Sequence, residues 1–112
     1  MTRLALFYLC ISILMEVVAT TSLKLSDSFS RLVPSVVAIA GYAIAFYCLT
    51  VPMKTIPTGI IYAIWSGAGI VLIAFSGWIF SGHKLDIPAL TGIGLILCGV
   101  IVINLFSKSV MH

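Results

Sequence analysis

Four apolar runs of about 20 residues dominate the chain: Leu4 to Leu23, Val33 to Val51, Thr58 to Phe80 and Ile87 to Phe106. At 1.5 Å of rise per residue, each is long enough as a helix to cross roughly 30 Å of hydrocarbon. Apolar residues make up 62% of the sequence and charged residues 8%, against roughly 45–50% apolar in soluble domains. That leaves too little polar surface to cover four such runs in water. In lipid, backbone groups must pair within their own segment. The expectation is an all-α integral membrane protein with four transmembrane helices, at about 4–23, 33–51, 58–80 and 87–106, forming a single domain over residues 1–112.

The connections are short and rich in helix breakers. They read "KLSDSFSR", "PMKTIP" with Pro52 and Pro57, and "SGHKLD", and Pro88 falls in the first turn of the last run. The first run follows Arg3 and ends in the small residues "ATTS", as a cleaved signal would. An internal acid and an overlong apolar stretch argue against removal, so it is expected to stay as a helix. Cys10, Cys48 and Cys98 lie singly in three runs, without metal-ligand spacing, and read as packing residues. His83 and His112 sit in a loop and at the C-terminus. No metal site, cofactor or nucleic-acid patch is expected, and the net charge of +3 comes from loops and ends.

Within the runs, the only residue of a charged type is Glu16, near the middle of the first. Tyr8, Ser12, Glu16 and Thr20 recur every four residues and make one polar stripe that must face protein or water. An ionised carboxylate at this depth costs at least about 2.5 kcal/mol, and no basic residue lies at membrane depth to pair with it. A proton neutralises it, or a cation from outside does. A group open to both is a site where proton and cationic substrate compete. The bland alternative is a permanently protonated acid that only holds helices together.

"YAIWSGAG" in the third run places Tyr62, Trp65, Ser66 and Gly69 on one face. Trp65 lies far from the interfacial depth where Trp usually anchors. Aromatic faces attract cations, by up to ~2 kcal/mol or more when desolvated, and Tyr42 and Phe46 of the second run can add to such a box. Taken alone, aromatic pairs at this spacing are more often core packing. Gly67 and Gly69 mark either a bend or a close helix approach. In the fourth run, Gly92 and Gly99 share a face, and Gly94 and Cys98 make a small-xxx-small pair. The run reads as a packing helix for an oligomer contact or for its own bundle.

Together, "MEVVATTSLK", "IPTGIIYAIWSGAGIV", Asp86 and "GIGLILCGVIVINL" resemble the small multidrug resistance family over nearly the whole chain. The resemblance implies a four-helix transporter of the bacterial inner membrane. It implies an antiparallel homodimer that exchanges protons for cationic compounds and is not an enzyme. By the same resemblance Glu16 is the shared proton and substrate site, Tyr62 and Trp65 bind substrate, and Gly92 and Gly99 form the dimer contact. Ala19 stands where the guanidinium-exporting branch usually carries Trp, which points to the quaternary-ammonium, multidrug branch. That branch commonly carries Tyr where Leu6 stands; either Tyr8 takes over or the substrate range differs.

With four crossings, Arg3, Lys54 and Lys108 fall on one side and Lys24, Arg31 and Lys84 on the other. Orientation follows the Lys and Arg bias of short loops. This balance predicts insertion in both directions. A non-transporting assembly subunit would account for the helices and for Gly92, but gives Glu16 no role.

Overall fold

The computed structural model describes residues 3–82 and 84–108; the expectations on His83 and His112 fall outside them. Four α-helices are present: α1 (Arg3–Leu25), α2 (Leu32–Thr50), α3 (Thr58–Ser81) and α4 (Ile87–Phe106). All four are long and apolar enough to cross a membrane. A short 3-10 turn, Pro52–Lys54, joins α2 to α3.

Local chemistry sets the ends. Pro52 opens the 3-10 turn, and the Thr55 amide closes it on the Pro52 carbonyl at 3.2 Å. Gly82 ends α3 with φ 66°, and its amide donates back to the Gly77 carbonyl. Asp86 caps α4, its Oδ1 accepting from the Ala89 amide at 3.0 Å. Between α1 and α2 the chain makes a left-handed turn through Asp27, Ser28 and Phe29, with φ of 50°, 59° and 65°. None is glycine, and each costs roughly 1–2 kcal/mol in that region. Buried Ser26 holds the turn: its Oγ accepts from the Phe29 amide at 3.1 Å, and its carbonyl accepts from the Ser30 amide at 2.9 Å.

Helices α1, α2 and α3 gather around one core, and α4 lies beside α3. Backbones approach closely between α1 and α2, α1 and α3, and α3 and α4, while α2 and α3 meet through side chains, Phe46 against Trp65. The molecule measures 45 × 34 × 18 Å. Association in lipid rests on close van der Waals fit and interhelical hydrogen bonds more than on a hydrophobic drive, and the α1–α2 seam has both. A β-carbon on Gly41 would lie 2.9 Å from the Ala19 Cβ, so the missing side chain is what lets the backbones meet. Ser12 Oγ donates to the Ala45 carbonyl at 2.9 Å.

Leu9, Ile13, Leu49, Ile56, Ile61 and Ile64 form a core at the end nearest the 51–57 connection. Toward the other end the helices splay, leaving voids between α1 and α3 and between α3 and α4. No residue of α4 is buried. Cys48 is buried, whereas Cys10 and Cys98 lie exposed on outer helix faces, so within one chain these two do not act as packing residues.

Candidate functional site

The three helices α1, α2 and α3 converge on Glu16. Thr20, one turn further along α1, donates from Oγ1 to Glu16 Oε1 at 2.8 Å. The same Oγ1 lies 2.6 Å from the Tyr42 hydroxyl on α2. A hydroxyl has one hydrogen, so while Thr20 donates to Glu16 it must accept from Tyr42. The close approach at Gly41 and Ala19 makes this reach possible, because it brings the next residue, Tyr42, against α1.

The other carboxylate oxygen, Oε2, faces α3. Gly69 leaves room for it: a β-carbon there would stand 3.0 Å from Oε2. Oε2 is buried and has no hydrogen-bond partner among the described residues, and the same holds for Trp65 Nε1. Buried polar groups are nearly always paired, because an unpaired one costs roughly 1–3 kcal/mol. An unpaired carboxylate oxygen fits a position that a proton or a cation occupies.

Aromatic rings continue from this point across α2 and α3. Tyr42 and Phe46 stack with centroids 6.0 Å apart. Phe46 meets Trp65 at 6.1 Å, bridging from α2 to α3, and Trp65 meets Tyr62 edge-on at 5.8 Å. Trp65 is half-buried, whereas Phe46 and Tyr62 are exposed and present open ring surface. Glu16, Tyr42, Phe46, Trp65, Tyr62 and Gly69 are therefore brought into one connected set.

Other candidates lie elsewhere. Ser12 is fully buried in the α1–α2 seam with its hydroxyl on Ala45, off the aromatic set. Tyr8 sits two turns before Glu16, in edge contact with Phe7 at 5.7 Å. Gly67 faces α4: a β-carbon there would lie 2.7 Å from Val100 Cγ2. Helix α3 runs unbroken through Gly67 and Gly69, and both mark close approaches, one to α4 and one to Glu16. Gly92 and Gly99 have nothing within 4 Å of a β-carbon, so their face is open. Two contributors do not stand out in the sequence. Thr20 is legible only as a member of the stripe, and Gly41 only as one small residue in an apolar run. Among the described residues, no group of three His, Cys, Asp or Glu side chains comes together as a metal site would need.

Comparison with known proteins adds an independent line. The family described as Small Multidrug Resistance protein matches residues 4–110. The chain is 56% identical to the quaternary ammonium compound-resistance protein QacF of Klebsiella aerogenes. It is 50% identical to QacE of Escherichia coli, which carries the same description, and 51% identical to the multidrug transporter EmrE of Escherichia coli K12. Each comparison runs over 105 residues and covers 94% of this chain and 96% of the relative.

Proposed function

The chain belongs to the small multidrug resistance family, and from that premise we propose that it is a proton-coupled antiporter. It exports lipophilic quaternary ammonium and toxic aromatic cations across the bacterial inner membrane, as an antiparallel homodimer of one transmembrane domain spanning residues 1–112. The observation that carries this reading is Glu16 Oε2, a buried carboxylate oxygen with no hydrogen-bond partner among the described residues, on a helix long and apolar enough to cross a membrane. Such a group needs a proton or a cation beside it. Because both use the same oxygen, arrival of one expels the other.

The ring series from Tyr42 to Tyr62 supports the substrate class. Open aromatic faces next to an acid suit a cation with flat or greasy substituents, each favourable contact contributing up to ~2 kcal/mol. The names of the relatives agree with this class: two are quaternary ammonium compound-resistance proteins and one is a multidrug transporter.

The exposure of α4 supports a second copy. One chain offers a single intramembrane acid and four helices, too little for a pathway with two alternating gates. Two oppositely inserted copies place two Glu16 side chains around one cavity, each copy the inverted image of the other. The free face of Gly92 and Gly99 on α4 supplies the contact. Protons loaded on the acidic side displace the drug, and drug entering from the cytoplasm displaces protons. Exchange of the two copies' conformations opens the cavity to the opposite side.

Solubilised wild-type protein should release protons when tetraphenylphosphonium or a quaternary ammonium is added. Glu16→Gln should neither release protons nor bind the cation. If Glu16→Gln in liposomes still accumulated substrate under an imposed proton gradient, the shared-site mechanism would be wrong. Silence of the wild type across a panel that includes guanidinium would favour a non-transporting membrane subunit.

A further inference from the structure

The wedge between α3 and α4 plays no part in the site at Glu16. From the contact of Gly67 with Val100 the two helices diverge toward the 82–86 connection and flank an open cleft of about 470 Å3, within the ordinary range for small-molecule sites. Its walls are apolar, with Phe75 and Trp78 on α3 and Leu90, Ile93 and Leu97 on α4, and among the described residues its one charged lining residue is Lys84.

We propose that this wedge binds an anionic phospholipid, with an acyl chain between α3 and α4 and the phosphate on the Lys84 ammonium. Depth supports this assignment. Lys84 lies three residues beyond the end of α3 at Ser81 and outside the apolar spans Thr58–Phe80 and Ile87–Phe106, whereas Phe75, Trp78, Leu90, Ile93 and Leu97 lie within them. A basic group at the mouth of a cleft between membrane helices is the arrangement that recruits acidic headgroups. The Asp86 carboxylate nearby accepts from the Ala89 amide as the α4 cap, so the positive end of that helix is already served. Lys84 repels the cations assigned to Glu16, which keeps this wedge distinct from the transport site.

The wedge also stays open when α4 pairs with a second copy. At about 100° per residue, Leu90, Ile93 and Leu97 share one side of α4, and Gly92 and Gly99 lie roughly 140° away. This step rests on the dimer contact proposed above; the lipid site itself does not.

The experiment is native mass spectrometry of the full chain from detergent with equal amounts of phosphatidylglycerol and phosphatidylcholine of the same acyl composition. Wild-type protein should retain phosphatidylglycerol about fivefold over phosphatidylcholine, the factor expected of one lysine near the surface. Lys84→Gln should remove the preference, Lys84→Arg should keep it, and Ala74→Phe, which fills the wedge, should lower retention of both lipids. Millimolar inorganic phosphate should displace neither. An unchanged preference in Lys84→Gln, or displacement by free phosphate, would overturn the proposal. Tetraphenylphosphonium binding by Lys84→Gln should match wild type, so a failed lipid result leaves the transport reading separately measurable.

Discussion

Gly69 stands against Glu16 so closely that a single added carbon would lie 3.0 Å from the carboxylate Oε2. The carboxylate must yield to any side chain there. Gly69→Ala should weaken tetraphenylphosphonium binding by about tenfold to a hundredfold, the ~1–3 kcal/mol usual for overpacking. Gly59 has nothing within 4 Å of a β-carbon, so Gly59→Ala should leave affinity unchanged in the same calorimetric titration. Equal losses in the two variants would point to general destabilisation.

Thr20 serves Glu16 and Tyr42 through one hydroxyl. Thr20→Val keeps the shape, strips both partners of their bond and should cost about 1–3 kcal/mol in cation binding. Tyr42→Phe removes only the outer link and should cost less. The reverse order of affinities would place the Tyr42 hydroxyl on substrate instead of on Thr20.

The two tryptophans of α3 should separate cleanly. Trp65 touches Phe46 and Tyr62, whereas Trp78 is exposed near the helix end and meets Phe75. Trp65→Ala should weaken aromatic cations by ~1–3 kcal/mol through lost ring contact. Trp78→Ala should leave their affinity unchanged, as fluorescence titration of the remaining tryptophan would report.

Orientation is testable through charge. Thr55→Arg with Ser109→Arg adds charge to one side, and Arg31→Ser with Lys84→Ser removes it from the other. Each biased version expressed alone should show a single C-terminal location by reporter fusion and lose resistance activity, and co-expression of oppositely biased versions should restore it. A single C-terminal location for the unmodified chain, with activity intact, would favour a parallel dimer.

The helices were legible because lipid-spanning runs exclude charge, and the α4 boundaries agree at both ends. Helix α1 runs two residues past its apolar run, to Leu25, because a lysine in a helix's last turn favours the helix end and does not stop it as a proline or glycine would. The left-handed turn at Asp27–Phe29 was not legible: no glycine marks it, and the bonds from Ser26 hold it. At the site, the stripe from Tyr8 to Thr20 was visible, but its members were not equivalent. Ser12 and Thr20 both meet α2, but Ser12 finds the Ala45 carbonyl deep in the seam and Thr20 finds the Tyr42 hydroxyl beside Glu16. Periodicity places residues on a face, and only the packed neighbour, here admitted by Gly41, decides what each one meets.

Helix α4, with none of its residues buried, makes the proposed transporter a creature of mass action in two dimensions. Its partner arrives by diffusion in the plane, so the paired fraction depends on how many copies share a given area of bilayer. Spreading the same protein over more lipid lowers the output of every chain. On the proposed dimer, an excess of an inert copy such as Glu16→Gln should poison the wild type by occupying its α4, and a cell carrying both forms should inherit a dominant defect.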